Sequence, residues 1–220
     1  MNTAPTWQLE FKRRILRLWF VKATGTAFFL VVFFQLYFAL LRFPSAAVFE
    51  MPITKLDELI TFWPPAFYAY ASLWLYTALV PALQPSFKAL VVYGFGIGAV
   101  CVTGLSFFYF LPTKVPFNAL ELSTESSLAI LRKIDMSGNA CPSLHVATAI
   151  FTALCLHRIL FAIGSPSWIR KVSWVWCALI VYSTMGIKQH VFWDVAAGIA
   201  LGAIFAFVYF QLTDDLPKNR

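Results

Sequence analysis

The fold is decided by residues 23–41, ATGTAFFLVVFFQLYFALL, which form 19 consecutive uncharged positions between Lys22 and Arg42. An α-helix needs about 20 apolar residues to cross the hydrocarbon core of a bilayer. This stretch therefore predicts a transmembrane helix.

The composition of the whole chain agrees with a membrane protein. Of its 220 residues, 60% are hydrophobic and 12% are charged, whereas soluble domains carry about 25% charged residues. This excludes a water-soluble globular domain. The net charge of +7 does not indicate nucleic-acid binding, because the basic residues stand in short flanks between apolar runs, where they act as topology signals.

The remaining charges divide the chain into further apolar runs and predict an all-α, polytopic membrane protein, a six-transmembrane-helix bundle. We expect a single membrane domain over residues 1–220. Its basic segment 1–22 is expected to lie in the membrane interface, and 112–142 to form an outer loop over the site. The predicted spans are 23–41, 66–83, 89–111, 143–163, 172–187 and 190–212.

The basic residues also predict the orientation of these spans. Six spans place both termini on one side, and cytoplasmic loops carry an excess of lysine and arginine. Cytoplasmic termini would put eleven basic residues inside and six outside, which favours a cell inner membrane with an outward-facing site. The inner set is Lys12, Arg13, Arg14, Arg17, Lys22, Lys88, Arg158, Arg170, Lys171, Lys218 and Arg220.

Ionisable residues at the ends of apolar spans are costly and usually functional. His145 opens the fourth predicted span, and His190 and Asp194 open the sixth. His190 and Asp194 are four residues apart, so they share one helical face. The 45 residues between the two histidines suffice for one helix in and one helix back, so both histidines return to the same membrane face.

This set of residues predicts phosphoryl transfer through a phosphohistidine. Asp194 would orient His190 as the nucleophile, and His145 would act as general acid and base. Ser143 would place its hydroxyl and free amides at a helix N-terminus, which binds phosphate. The candidate cations for the phosphate oxygens are Lys188, Lys114, Arg132 and Lys133.

At these residues the sequence resembles the type 2 phosphatidic acid phosphatase superfamily of membrane lipid phosphatases and phosphotransferases. Pro142-Ser143-Leu144-His145 matches its Pro-Ser-Gly-His motif with Leu144 for glycine. Residues 183–194 match its Ser-Arg-x5-His-x3-Asp motif with Thr184 at the phosphate-binding arginine. The resemblance implies a six-helix fold and assigns His190, His145 and Asp194 to catalysis.

The departures from the family pattern suggest a particular branch. The first motif, Lys-x6-Arg-Pro, is absent, and Thr184 replaces an arginine. This resembles the branch that contains inositol phosphorylceramide synthase and sphingomyelin synthase, in which a phosphorylated head group moves to a lipid alcohol.

Three functions remain open from the sequence. The first is hydrolysis of a lipid phosphate or diphosphate held in the bilayer, and the second is transfer of a head group to an acceptor alcohol. The third is a non-enzymatic proton or metal-ion transporter. Neither enzymatic function needs a cofactor or metal, although Cys141 could join His145 and His190 as a metal ligand. Structural alternatives are a buried His190–Asp194 pair that only closes a helix and Lys188 as an interfacial anchor.

Overall fold

The computed structural model describes residues 6–116 and 138–214. In these ranges the chain is mostly helical, with two short strands, β1 (Phe49–Glu50) and β2 (Thr113–Lys114), that pair in parallel. The helices are α1 (Trp7–Leu16), α2 (Trp19–Arg42), α3 (Lys55–Leu59), α4 (Ala66–Ala71), α5 (Leu73–Ala82), α6 (Phe87–Phe110), α7 (Leu144–Ala162), α8 (Ser167–Gly186) and α9 (Phe192–Asp214).

Among the described residues, four helices are long and apolar enough to cross a membrane, namely α2, α6, α7 and α9. They correspond to the first, third, fourth and sixth predicted spans. The predicted count of six is therefore not reached by helix length and composition. The second and fifth predicted spans lack such a helix, and each has a local cause.

The second predicted span, 66–83, is broken at Ser72 into the two short helices α4 and α5. The Ser72 hydroxyl donates back to the carbonyl of Ala69 (2.7 Å) and accepts from the Trp176 indole (2.8 Å). Such bonds from serine to the preceding turn bend helices. The fifth predicted span, 172–187, matches α8 up to Gly186, and the first turns of α8 carry Arg170 and Lys171.

The N-terminal segment, which the sequence predicts to lie in the membrane interface, forms helix α1. It ends before Leu18, which has a left-handed backbone (φ 56°) and separates it from α2. Lys22 lies inside α2 but is buried, and its ammonium donates to the carbonyls of Arg14 (2.5 Å) and Ala82 (2.8 Å). A basic residue predicted to flank the span thus joins α1, α2 and α5.

Helix α7 lies at the centre of the fold and contacts α5, α6, α8 and α9. Its contact with α9 is the closest, because α9 presents glycine at 198 and 202. A Cβ atom at Gly198 would lie 2.6 Å from the Ser143 carbonyl oxygen, and one at Gly202 would lie 2.4 Å from that of Ala147. Small residues spaced by four allow helices in a membrane to approach this closely. The approach places the start of α7 beside the start of α9.

The glycine contact predicts that alanine destabilises the protein at one glycine and has little effect at another. Gly202→Ala should lower the stability of the folded protein by about 1–3 kcal/mol, because the added methyl group would overlap backbone atoms of α7. Gly94→Ala is the matched control, since nothing lies within 4 Å of a Cβ atom there. Thermal unfolding of the purified variants in detergent measures both. Equal melting temperatures would contradict the proposed contact.

Candidate active site

The candidate site is built where the starts of α7 and α9 meet. The backbone amide of Ser143 donates to the backbone carbonyl of Asp194 (3.0 Å), and both residues are fully buried. The Ser143 hydroxyl accepts from the amide of Val146 (3.3 Å), so it caps α7. The sequence predicts that the Ser143 hydroxyl binds phosphate. In the structure this hydroxyl accepts a hydrogen bond from the first turn of its own helix.

His190 and Asp194 lie together, as their spacing predicts. The His190 Nδ1 atom is 3.4 Å from Asp194 Oδ2, which also accepts from the amide of Val191 (3.0 Å). Because a carboxylate only accepts, this contact assigns the proton of a neutral ring to Nδ1 and leaves Nε2 unprotonated. The other oxygen, Asp194 Oδ1, is buried and has no hydrogen-bond partner among the described residues.

His145 is held by residues of α4 and α5. Its Nε2 atom lies 3.0 Å from the backbone carbonyl of Tyr70, and its ring stacks on the Tyr70 ring with centroids 3.9 Å apart. The Trp74 ring meets it edge-on at 6.3 Å. A carbonyl only accepts, so Nε2 carries a proton and Nδ1 remains available for proton exchange. The sequence gives no signal that Tyr70 or Trp74 would lie here.

Both histidines line one cavity of about 320 Å³. His145 comes from α7, and His190 comes from the connection between α8 and α9, residues 187–191. The fold thus brings together two residues that are 45 positions apart. Two buried amides, those of Asn139 and Gln189, also line the cavity. The Asn139 amide donates to the Tyr37 carbonyl (3.1 Å) and joins the segment before α7 to α2.

The predicted phosphate-binding cations have other partners or lie outside the described residues. Lys114 pairs with Glu50 at 3.2 Å on the two strands. The Lys188 ammonium donates to the carbonyls of Asp57 (2.6 Å) and Ile60. Arg132 and Lys133 lie in the range 117–137, outside the described residues.

Thr184, which occupies the position of the family arginine, is fully buried. Its hydroxyl donates to the Val181 carbonyl (2.8 Å) in its own helix. Its carbonyl accepts from the amides of Gln189 (3.0 Å) and His190 (3.1 Å). Thr184 thus folds the His190 connection back onto the end of α8.

Asp57, which the sequence analysis does not select, holds the same connection from the other side. This buried carboxylate accepts from the Phe192 amide at the start of α9 (2.8 Å), and its second oxygen accepts from the Thr54 amide (2.8 Å) and hydroxyl (2.7 Å). Thr54-x-x-Asp57 is a capping-box pattern that marks the start of α3. That pattern does not reveal the long-range bond to Phe192.

Lys188 completes the attachment of α3 to the connection. Its backbone is left-handed (φ 58°), and its ammonium binds two carbonyls of α3 and its C-terminal cap, the end of a helix that favours positive charge. Burial lowers the pKa of Lys188, and the nearby charge of Asp57 opposes that shift. This lysine therefore acts in the structure as a tie between α3 and the His190 connection.

Cys141 lies one turn before α7. Burial, with the negative charge of Asp194 nearby, raises the pKa of Cys141 to about 11. The thiol therefore stays protonated at neutral pH when no metal is bound. Within 6–116 and 138–214, no group of three or more histidine, cysteine, aspartate or glutamate residues is placed to hold a metal ion.

A family model described as the PAP2 superfamily matches residues 87–218, more than half of the chain. The chain belongs to the PAP2 superfamily. Members are generally phosphoric ester hydrolases or phosphotransferases, and membership together with the apolar helices is consistent with an integral membrane protein. No curated protein and no solved structure matches the chain. The match contains both histidine motifs, whereas α1 to α5 lie outside it.

For this PAP2 protein we predict that Asp57 positions the reacting histidine without touching the substrate. Asp57→Ala removes the acceptor for the Phe192 amide, so the connection that carries His190 shifts. We expect kcat to fall on the order of 10- to 100-fold with KM nearly unchanged, and Asp57→Asn to restore part of the loss by keeping one acceptor oxygen. Glu58→Ala is the control, because Glu58 is exposed on the same short helix. Unchanged kcat in Asp57→Ala would contradict this role.

Proposed function

We propose that the protein is a membrane-embedded lipid phosphate phosphatase that works through a phosphohistidine intermediate. The observation that carries the proposal is a single cavity lined by His145 and His190, with His190 Nδ1 held at Asp194. Its substrate would be a lipid phosphate or diphosphate in the bilayer, and no nucleic acid would take part.

In the first step, His190 Nε2 attacks phosphorus in line with the ester oxygen. An N–P bond forms while the P–O bond to the lipid breaks, and protonated His145 donates its Nδ1 proton to the leaving oxygen. Asp194 stabilises the positive charge that develops on the imidazole of His190. The lipid alcohol leaves, and the phosphate stays on His190.

In the second step, water enters on the face that the lipid alcohol has left. His145 Nδ1 takes a proton from the water as its oxygen attacks phosphorus, and the N–P bond breaks to release inorganic phosphate. The Tyr70 carbonyl keeps the other His145 nitrogen protonated, which supports this role. Both histidines return to their starting states.

The phosphate oxygens need positive partners throughout. At the start of α7, the amides of Ser143 and Val146 are used by Asp194 and by the Ser143 hydroxyl. We assign the other first-turn amides, those of Leu144 and His145, to the phosphate. Arg132 and Lys133 remain our candidates for the cations.

We also propose that the broken helix α4–α5 and helix α8 cross the membrane, giving six spans with cytoplasmic termini and the site on the outer face of the inner membrane. Both pack against each other and against the central helix α7. The Tyr76 hydroxyl of α5 bonds the Ser173 hydroxyl of α8 (2.9 Å), and α5 and α8 both contact α7. Labelling of single exposed cysteines from each side of the membrane tests this topology.

The catalytic proposal predicts a difference among the three histidines. His190→Ala should abolish phosphate release and phosphoenzyme formation from a labelled lipid phosphate, and His145→Ala should reduce turnover by about 10²–10⁴-fold. His157→Ala is the control, since His157 lies near the other end of α7 and binds the Trp174 indole (3.2 Å). Acid-labile label on the wild type and the His157 variant, and none on the His190 variant, is the expected result. Turnover by folded His190→Ala would exclude the mechanism.

Transfer of a head group to an acceptor alcohol is the second candidate, as in the branch that the motifs resemble. Thr184 favours it, because a phosphodiester carries one negative charge where a monoester carries up to two and so needs fewer cations. Product analysis with phosphatidate, polyprenyl diphosphate or an intact phospholipid, each with a candidate alcohol, separates the two. Inorganic phosphate supports hydrolysis, and a new phosphodiester supports transfer. Ion flux in liposomes without phosphate chemistry would support the transporter.

A further inference from the structure

The cavity that holds the two histidines extends far beyond them. Apart from the histidines, Asn139 and Gln189, its lining is almost entirely apolar and rich in aromatic rings. The apolar and aromatic lining residues come from five helices and include Phe29, Phe33, Phe34, Phe38, Phe67, Trp74, Ile97, Cys101, Phe108 and Leu144.

The lining residues on α2 and α6 show how deep the cavity is. On α2 they run from Phe38 to Phe29, and on α6 from Phe108 to Ile97. At a rise of ~1.5 Å per residue these stretches span about 13–16 Å, close to the ~15 Å of one hydrocarbon leaflet. A Cβ atom at Gly98 would lie 3.9 Å from the Phe29 ring, which places Phe29 beside the deep end on α6.

The two threonine hydroxyls along the cavity do not make it suitable for water. Thr77 donates to the Leu73 carbonyl (3.0 Å), and Thr148 donates to the Leu144 carbonyl (2.8 Å), each within its own helix. Away from the histidine end the walls therefore offer few polar partners, and apolar cavities of this kind stay dry and take apolar ligands. A polar end joined to an apolar channel one leaflet deep has the shape of a single lipid chain with its head group.

We propose that this cavity binds one hydrocarbon chain of the substrate lipid and that Phe29, Thr77 and Ile97 at its deep end limit the length of that chain. The inference rests on the proposed function, because it places the phosphate of the same lipid between His145 and His190. Phe29 and Thr77 lie outside the range matched by the family model. Two of the three residues proposed to limit chain length would then lie outside the matched range, and Ile97 would lie inside it.

Lipid phosphates with saturated chains from octanoyl to stearoyl, presented in mixed micelles, provide the test. Thr77→Phe fills the deep end, so we expect the rate on the stearoyl substrate to fall about tenfold while the octanoyl rate changes little. Phe29→Ala removes a ring from the deep end and should move the optimum toward longer chains. The matched controls are Phe28→Ala and Leu75→Phe, whose positions are 71% and 62% exposed on the same helices. Active variants that all keep the wild-type chain-length profile would overturn the inference.

A binding measurement separates this inference from the proposed function. A non-hydrolysable phosphonate lipid with a stearoyl chain should remain bound to the wild type in native mass spectrometry and should dissociate from Thr77→Phe but not from Leu75→Phe. This outcome would support chain binding even if no phosphate is released from any lipid, which would exclude only the proposed function. Equal retention by the wild type and Thr77→Phe would exclude chain binding in this cavity.

Discussion

The close contact between α7 and α9 is the constraint on which the candidate site depends. Gly198 and Gly202 leave room for the Ser143 and Ala147 carbonyls, and the Ser143 amide bonds the Asp194 carbonyl where the helices start. In a bilayer, helices gain little from hydrophobic burial against one another, so packing and such bonds determine how they associate. A methyl group at either glycine would separate the two histidine motifs by the same movement that separates the helices.

Three residues fix the connection that carries His190. Thr184 takes the amides of the connection from one side, while Asp57 and Lys188 fix it to α3 from the other. The buried Asp57 carboxylate has its partners in Thr54 and Phe192, since a buried carboxylate without such partners would be costly. The bonds of Asp57 and Lys188 thus hold one geometry of the connection that carries His190.

The sequence predicts some of the candidate membrane-spanning helices better than others. Long apolar runs without charges predict α2, α6, α7 and α9, because spanning depends on local length and hydropathy. The break at Ser72 was not predicted, since Ser72 fits an apolar helix until its hydroxyl meets Ala69 and Trp176. This break lies close to Tyr70, whose carbonyl and ring hold His145, so an unpredicted irregularity shapes the site.

The sequence by itself determined the apolar spans and the identity of the three ionisable residues, because helical spacing and the cost of charge in a membrane act locally. The spacing of His190 and Asp194 also predicted that they would meet, although His190 lies on the connection before α9 rather than on a turn of that helix. Only the tertiary structure decided which partners the remaining polar groups take. The sequence predicts Lys188 and Thr184 as phosphate-binding residues, yet packing turns the first toward α3 and the second toward its own helix, because each buried donor must find an acceptor in the folded chain.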